Sequence, residues 1–559
     1  MTSPYREGGA GAPFGPADDD GLVSEIARQF TDPMAFYREL VQNALDAGTS
    51  SIRVSLSHDE EDGGQLQVRV RDDGCGMNRE TLEDQLLVLF RSSKEGRTDA
   101  IGKFGIGFIS VLAVNPEVVQ VITSKGDGMS YRASLFPDHS WEVSESPGGA
   151  ESGTTVTLHV PMARDALDEF AERSVRALRL WCKHSAAPIF FSASASGEVL
   201  REQERIDEPL SIESVFQLKE TVGDTVMAVG LPGRAELRAE FYNRGLLLRA
   251  LREAEVEPLM RALRVSFAVQ DPALEHTLSR EDVRRDDAFA RVVASVSSLV
   301  RRRLAGAALD ELARLARQRP KGWRQRYGKL LFALDGSRLR FDATQLRIPS
   351  IAADGSEQVA LADMLLGMDG VYVADGEPEV HAALAARGHA LIDPNACGHG
   401  VVPRRPWIQF LRRRLKLDDL GYASEQTLVE EREASASDRA LAEALVRSLA
   451  GSPRAVRGVG FAMLVGAPSE QLHVVAKLGA GRQIVDSDKL TAWPRFRLRR
   501  PTLLLSVEHP LVNAARTSRD AELGASCLTR VILGRAEAID REREFALTQR
   551  ALKRILRAR

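Results

Sequence analysis

Three polar residues, Glu39, Asn43 and Asp46, are spaced so that they line one face of a helix. They lie in FYRELVQNALDAGTS, residues 36–50, and the steps i, i+4 and i+7 match a helical period of about 3.6 residues. The apolar residues between them can pack against a domain, and Gly48 is a suitable stop signal. A polar row on an otherwise apolar helix is costly to bury without ligands, so we expect it to bind magnesium, water and a nucleotide.

A carboxylate followed by two glycines forms the second feature. Residues 65–72 alternate between apolar and polar side chains, which predicts a half-buried strand leading into DDGCGM, residues 72–77. Glycines at 74 and 76 allow a ligand to approach the backbone closely, and Asp72 can accept a hydrogen bond from an exocyclic amine such as that of adenine. Taken alone, the motif also fits a tight turn with a solvated aspartate.

Glycines also mark the third feature, IGKFGIGF at residues 101–108, which precedes the apolar run ISVLAV. Backbone N–H groups in such a loop and at a helix N-terminus favour an anion, so we expect a phosphate cradle. A lone glycine loop is a weak signal, and its place after the other two motifs strengthens it. Residues 78–104 would then form a mobile lid with glycine-rich hinges.

A threonine in a later strand completes the candidate site. The alternating run GTTVTLHV, residues 153–160, places Thr154 where its hydroxyl could reach Asp72 or a bound base, although an ordinary β-branched strand residue explains it equally well. A helix over 163–185 and a strand at PIFFSAS are expected to close this domain near residue 205.

The composition describes a globular protein of several domains. Its 559 residues are too many for one core, so we expect three or four domains. The hydrophobic content is 44% and the charged content 27%, as in ordinary globular proteins. A net charge of −3, from 75 basic and 78 acidic residues, gives no electrostatic reason to expect a nucleic-acid partner.

The four cysteines, Cys75, Cys182, Cys397 and Cys527, lie far apart and form no CxxC pair. This spacing predicts neither a disulfide framework nor a zinc site. We see no signal-peptide pattern and no apolar run of about 18 residues, so we expect a cytoplasmic protein without a membrane span. Residues 1–20, rich in Gly, Pro and Asp, are expected to be a disordered lead-in.

Together, the four motifs resemble those of the GHKL ATPase superfamily, which includes DNA gyrase, the ninety-kilodalton heat-shock chaperones, histidine kinases and mismatch-repair ATPases. The motifs are ExxxNxxDA from Glu39, DDGCGM from Asp72, GKFGIGF from Gly102 and GTTVTLH from Gly153. Within the superfamily the chain looks most like heat-shock protein 90, because FYRELVQNALDA is close to that family's first motif and KHSAAPIFFS to the end of its nucleotide domain.

Two later segments are similar to the middle domain of the same family. RAEFYNRGLLLRA, residues 238–250, resembles a strand pair, and LEHTLSRE, residues 274–281, resembles the catalytic loop. In the family the arginine of this loop reaches the terminal phosphate of ATP, which implies that role for Arg280. DNA-acting relatives use a lysine from another loop instead. A surface arginine paired with its acidic neighbours is the alternative interpretation of Arg280.

The expected site has two catalytic residues. Glu39 is placed to orient and deprotonate the attacking water, and Arg280 would stabilise charge that develops on the phosphate. Asn43 offers an oxygen ligand to magnesium, and Asp46 is expected to brace the site. The residues expected at the nucleotide are Asn43, Asp46, Asp72, Gly74, Gly76, Met77, Gly102, Lys103, Phe104, Gly105, Ile106, Gly107, Phe108 and Thr154.

The resemblance implies an α+β protein with an N-terminal Bergerat-type α/β sandwich ATPase domain, an α/β middle domain and a smaller C-terminal domain. The expected segments are the lead-in 1–20, the ATP-binding domain 21–205, the middle domain with the catalytic loop 206–330, its small α/β part 331–450 and a candidate dimerisation domain 451–559.

The implied function is that of a homodimeric, ATP-dependent chaperone of the stress response, with ATP and magnesium as cofactors. Slow hydrolysis would open and close a clamp on client proteins. Two alternatives remain open: a GHKL ATPase acting on DNA, and a chaperone-like regulatory switch dedicated to one partner. Arg284 and Lys103 stand where the family usually has glutamine, which leaves the client range and the hydrolysis rate in doubt.

Overall fold

The computed structural model describes residues 32–59, 64–86, 107–138, 140–147, 151–277, 282–398, 404–493, 500–535 and 539–558. The protein is α+β, and its internal contacts divide it into two compact units at the boundary between Leu304 and Ala305. The predicted lead-in and six predicted site residues lie outside the described residues. Those six are Gly102, Lys103, Phe104, Gly105, Ile106 and Arg280.

The first unit contains an eight-stranded sheet of order β5-β4-β3-β6-β2-β1-β7-β8. All neighbours run antiparallel except the parallel pair β1 and β7. Its strands are β1 (Ile52–Asp59), β2 (Gln65–Asp72), β3 (Val118–Ser124), β4 (Met129–Leu135), β5 (Trp141–Pro147), β6 (Gly153–Pro161), β7 (Ile189–Ala195) and β8 (Glu198–Arg205).

A second sheet of the same unit has the order β12-β11-β13-β10-β9. Its strands are β9 (Phe216–Val222), β10 (Thr225–Leu231), β11 (Arg238–Asn243), β12 (Leu246–Arg252) and β13 (Ser266–Gln270). The α-helices of five or more residues in this unit are α1 (Phe36–Asp46), α2 (Leu167–Trp181), α3 (Pro258–Leu263) and α4 (Asp287–Leu299).

One apolar face of the first sheet packs with α1 and α2 in a shared core. The alternation predicted for β2 is confirmed, because Leu66, Val68 and Val70 are all buried in that core. Tyr37 on α1 is fully buried and its hydroxyl donates to Ser174 Oγ on α2 at 2.9 Å. The two helices are therefore held together on the sheet by both packing and a buried hydrogen bond.

Helix α1 begins and ends close to the positions that the sequence predicts. Asp32 accepts a hydrogen bond from Met34 N at 2.9 Å and caps a 3-10 turn, Pro33–Ala35, directly before the helix. Gly48 follows the helix with φ of +72°, a conformation that glycine adopts without strain. The second predicted helix, 163–185, is shorter in the structure, since α2 ends at Trp181.

The second unit contains two five-stranded sheets, of orders β15-β14-β17-β16-β18 and β21-β23-β20-β19-β22. Their strands are β14 (Arg347–Ile351), β15 (Glu357–Leu361), β16 (Val371–Val373), β17 (Ala390–Ile392), β18 (Gly421–Tyr422), β19 (Gln426–Arg432), β20 (Gly458–Val465), β21 (His473–Val475), β22 (Arg482–Asp486) and β23 (Thr502–Ser506).

The helices of this unit follow the same numbering. They are α5 (Ala305–Gln318), α6 (Trp323–Gly336), α7 (Ala362–Leu366), α8 (Pro378–Ala385), α9 (Arg404–Leu415), α10 (Ala436–Leu449), α11 (Pro510–Thr517), α12 (Ala521–Arg535) and α13 (Arg541–Ala558). Within the described part of the chain, no helix has both the length and the apolar character that a membrane crossing requires.

Candidate functional site

Helix α1 carries the polar row that the sequence singles out. Glu39 is buried, with 6% of its surface exposed, whereas Asn43 and Asp46 are exposed at the following turns. The row therefore runs from the interior of the first unit toward solvent along one helix face. In this arrangement the carboxylate of Glu39 can act as a proton acceptor shielded from bulk water, while the exposed amide of Asn43 can contact a ligand.

Asp72 ends β2 and its carboxylate is held by two backbone N–H groups. Oδ1 accepts from Gly74 N at 2.9 Å and from Thr154 N at 3.3 Å. Burial raises the pKa of Asp72 above its ordinary value, and the two N–H groups only partly oppose this effect. The side chain remains half-buried, so it presents an oxygen acceptor at the edge of the site.

The glycines of DDGCGM are required by close backbone packing. Gly76 has φ of +61°, and a Cβ atom at this position would overlap the carbonyl oxygen of Ser124 on β3. Between the two glycines, Cys75 N donates to the carbonyl oxygen of Ala47 at 2.9 Å, at the end of α1. This backbone hydrogen bond joins the loop after β2 to the end of α1.

Thr154 lies directly opposite Asp72 in the ladder of β2 and β6. Its backbone N–H reaches Asp72, while its hydroxyl lies 3.0 Å from the hydroxyl of Thr123 on β3. Thr123 Oγ1 also accepts from Met77 N at 2.8 Å. The sequence did not single out Thr123, because nothing in its strand VVQVITSK shows that it pairs with β6.

The sequence analysis assigned no role to Asp73, although it lies inside the second motif and accepts several hydrogen bonds. Burial acts to raise the pKa of its carboxyl, but the hydroxyls of Ser50 and Thr49 and the N–H groups of Ser50 and Ser51 donate to it. These hydrogen bonds hold the pKa of Asp73 well below its usual range. Asp73 therefore fastens the residues after α1 to the loop after β2.

Only the end of the glycine motif lies in the described part of the chain. Gly107 and Phe108 are both buried, and a 3-10 helix, Phe108–Val114, starts directly after Gly107. Ser110 Oγ donates to the carbonyl oxygen of Gly107 at 2.6 Å. The expected turn from a glycine run into a helical segment is present there, with 3-10 rather than α geometry.

A loop that follows the second sheet in the chain reaches helix α1 next to Glu39. Arg38 is buried, and its Nη2 atom contacts the imidazole of His276, with Nδ1 at 3.4 Å and Nε2 closer. The Arg38 guanidinium also lies 5.2 Å from the centre of the Trp181 ring. Burial raises the pKa of the Cys182 thiol to about 12, and the charges of Arg38 and Glu39 both act on it.

The β11–β12 hairpin makes a second contact with the polar helix. Arg244 and Gly245 at its turn have φ of +47° and +81°, and a Cβ at Gly245 would overlap the carbonyl oxygen of His184. Arg244 Nη1 donates to Asp46 Oδ1 at 2.7 Å. Both side chains of this pair are more than half exposed, so it stabilises the fold little. Its effect is to connect the hairpin turn with the end of α1.

The comparisons with known proteins point to the same region. Residues 36–146 match the family described as histidine kinase-, DNA gyrase B-, and HSP90-like ATPase. Chaperone protein HtpG of Rhodospirillum rubrum is 30% identical over 210 residues, which cover 32% of each chain. HtpG of Anaplasma marginale is 31% identical over 197 residues, 30% of each chain.

HtpG of Rickettsia bellii is 28% identical over 190 residues, which cover 29% of this chain and 30% of that protein. The chain thus spans less than a third of the length of the curated relatives it matches. The matched residues include the polar helix, the DDGCGM loop and the end of the glycine motif. Residues 36–146 are therefore similar to the histidine kinase-, DNA gyrase B- and HSP90-like ATPase family, and about a third of the chain is similar to the HtpG chaperones.

Proposed function

We propose that this protein is an ATP-dependent molecular chaperone of the heat-shock protein 90 type. It hydrolyses ATP slowly, and hydrolysis drives the opening and closing of a clamp on client proteins. The observation that carries this proposal is the contact between Arg38 and His276. It brings His276, which precedes Arg280 by four residues in the sequence, to the residue that precedes Glu39 on α1. The relation to HtpG chaperones supports the same function.

In the proposed mechanism, Asp72 binds the exocyclic amine of adenine and the Gly102–Phe108 motif holds the phosphates. Asn43 would hold magnesium, which would neutralise phosphate charge; Mg²⁺ at nucleotides needs only one or two protein ligands besides the phosphates. Glu39 orients and deprotonates the attacking water, and Arg280 stabilises charge at the terminal phosphate. The remaining proposed contacts are those of Gly74, Gly76, Met77 and Thr154, with Asp46 bracing the helix.

The proposal extends to the assembly and its place in the cell. We propose a cytoplasmic homodimer that acts on client proteins in the stress response and binds no nucleic acid. Exposed apolar side chains on α13, such as Phe545 at 63% and Leu556 at 70% exposure, support a protein partner for that helix. The domain architecture proposed with it is the Bergerat-type ATPase domain 21–205, followed by middle and C-terminal domains.

Steady-state ATP hydrolysis by the wild type, Glu39→Ala and Arg280→Ala, with and without DNA, tests the proposal. We expect slow turnover that Glu39→Ala reduces by about 10²- to 10⁴-fold, the usual contribution of a general base, while nucleotide binding persists. Arg280→Ala should reduce turnover strongly, and DNA should change nothing. Normal hydrolysis by Arg280→Ala, or acceleration by DNA, would instead favour an ATPase that acts on DNA.

Addition of unfolded proteins separates a general chaperone from a switch dedicated to one partner. A general chaperone responds to several unrelated unfolded proteins with a changed rate of ATP hydrolysis. A dedicated switch does not respond to any of them. Glu39→Ala serves as the background control in both experiments, because it removes the hydrolysis that belongs to this site.

A further inference from the structure

We infer that Thr123 is a positioning residue for the base end of the proposed nucleotide site. Its hydroxyl turns the hydroxyl of Thr154 so that Thr154, like Asp72 beside it, offers a hydrogen-bond acceptor to the bound base. This inference rests on the proposed function and assigns a task to a residue outside the four motifs. Three observations carry it: the place of Thr123 in the sheet, its burial, and the directions of its hydrogen bonds.

Asp72, Thr154 and Thr123 form one row across three neighbouring strands. Thr154 on β6 is the ladder partner of Asp72 on β2 and also of Thr123 on β3. Directly opposite residues of antiparallel strands point to the same face of a sheet, so these three side chains share a face. Two residues further along, each strand places a valine of the core shared with α1 and α2 on that face: Val70, Val121 and Val156. The polar row therefore ends an otherwise apolar face.

Thr123 is the most deeply buried member of the row. Its relative exposure is 1%, whereas Asp72 and Thr154 are half-buried. A buried hydroxyl needs partners from the protein, and Thr123 Oγ1 finds them on two segments of the proposed site. Met77 N lies at 2.8 Å, the carbonyl oxygen of Gly153 at 3.2 Å and the hydroxyl of Thr154 at 3.0 Å. Thr123 therefore acts on a ligand through these partners.

The directions of these hydrogen bonds follow from the chemistry of the partners. A backbone N–H only donates and a carbonyl oxygen only accepts, so Met77 donates to Thr123 and Thr123 donates to Gly153. Because a hydroxyl has a single proton, the contact with Thr154 is a third hydrogen bond only if Thr154 is the donor. The proton of Thr154 then points toward β3, and the lone pairs of its oxygen are left for a ligand.

Two acceptors then lie side by side at the base end of the site. Asp72 Oδ1 accepts from Gly74 N and Thr154 N, and no described residue forms a hydrogen bond with Oδ2. A pair of acceptors favours a ligand edge that carries donors, such as the exocyclic amine of a 6-aminopurine. A 6-oxopurine has a carbonyl oxygen in place of that amine, and acceptors repel it. Thr123 thus helps to select a 6-aminopurine over a 6-oxopurine.

The test measures the Kd values of nonhydrolysable analogues of ATP and of inosine triphosphate for full-length wild type, Thr123→Val and Thr123→Ser. Competition against a fluorescent adenine nucleotide gives both values even where one is weak. Valine keeps the shape of threonine and removes the hydroxyl, which frees the proton of Thr154 to turn toward a 6-oxo group. We expect Thr123→Val to lower the preference for the adenine analogue by roughly 5- to 10-fold, about the worth of one hydrogen bond.

The ratio of the two Kd values separates positioning from stability. Loss of the contact with Met77 weakens both analogues alike and cancels in the ratio. Thr123→Ser retains the hydroxyl and should keep the wild-type ratio within about twofold, as expected when the hydroxyl alone is needed. If thermal unfolding shows that valine unfolds the domain, Thr123→Ala takes its place in the comparison.

Two further variants make the result specific. Thr157→Val makes the same change at another buried threonine of β6, three residues from Thr154 and hence on the other face of the sheet, and should keep the wild-type ratio. Thr154→Val should lower the ratio by itself. Adding Thr123→Val to Thr154→Val should then lower it no further, because both changes act through the same hydroxyl pair.

Each outcome has a separate meaning. An unchanged ratio in Thr123→Val, or an equal change in Thr123→Ser or Thr157→Val, overturns the positioning role while the proposed function stands. A further loss when Thr123→Val is added to Thr154→Val overturns the route through Thr154. A wild type that binds neither analogue overturns the proposed function, and the inference fails with it.

Discussion

Burial makes Asp72 harder to ionise than an ordinary aspartate, which matters for a side chain proposed to accept a hydrogen bond from a base. Its carboxyl is half-buried, and the N–H groups of Gly74 and Thr154 offset the cost of burial only in part. The raised pKa means that the carboxyl gains its proton at a higher pH than usual as the solution is acidified. A protonated carboxyl is a weaker acceptor, so nucleotide affinity should depend on this titration.

We therefore predict that the Kd for a nonhydrolysable ATP analogue rises as the pH falls through the raised pKa of Asp72. The rise should begin above the ordinary aspartate value of about 3.9. Isothermal titration calorimetry over a pH series measures it. Asp72→Asn is the matched control: it should bind the analogue too weakly to measure or, where binding is detectable, without this pH dependence. A wild type and an Asp72→Asn variant with the same pH profile would contradict the role of Asp72.

The site residues that could be predicted from sequence are those that belong to a local pattern, such as a helix face or a glycine-containing loop. Glu39 and Asn43 share a helix face, and the glycines follow Asp72 within one loop. Thr123, in contrast, acts through β6 and Met77, and the pairing of distant strands is not encoded in any local pattern. His276 escaped notice for the same reason, since its partner is Arg38, 238 residues away.

Elements with strong periodicity were predicted well, and their ends less so. The alternating strands β2 and β6 and the helix α1 follow directly from spacing and stop signals. Helix α2 ends at Trp181 rather than at residue 185. The residues that follow contact the β11–β12 turn instead: Ala186 N donates to the carbonyl oxygen of Arg244 at 3.1 Å. Such a tertiary contact cannot be deduced from helix propensity.

Helix α13 has two faces with different surroundings. Leu547 is buried, and its carbonyl oxygen accepts from Ser526 Oγ on α12 at 3.3 Å. Phe545, Leu552 and Leu556 recur at steps of seven and four along the opposite face, and all three are exposed. An exposed apolar row of this kind fits a partner helix, and the proposed homodimer supplies one from a second copy.

We predict that Leu552→Glu with Leu556→Glu converts a dimer into a monomer, because buried charge without a partner opposes helix pairing. Size-exclusion chromatography with light scattering measures the molar mass. Ala546→Glu adds an acidic charge beside the row and should leave the mass unchanged. A wild type that is monomeric at micromolar concentration, or a dimer that survives both leucine substitutions, would show that this row does not form the interface.

At the scale of the whole chain, length alone indicates more than one core, and the structure has separate buried clusters on each side of Leu304. The predicted boundary near 205 came from the helix and strand expected to close the first domain, and those near 330 and 450 came from the resemblance. All three stay predictions. The order of strands in the four sheets could not be predicted, because alternation shows that a strand is half-buried without naming its neighbours. Chain length therefore indicates that there is more than one hydrophobic core, whereas the sheet topology depends on contacts between distant segments.

This division leads to a prediction for thermal unfolding of the full-length chain. The residues of the proposed nucleotide site all belong to the first unit, and each unit has its own core, so we expect two calorimetric transitions. A nonhydrolysable ATP analogue with Mg²⁺ at 100 times its Kd stabilises the native first unit by about 2.7 kcal/mol. Only the transition of that unit should move to higher temperature, and Asp72→Asn should abolish the shift. If both transitions move together, or if Asp72→Asn responds like the wild type, nucleotide binding is not confined to the Asp72 site of the first unit.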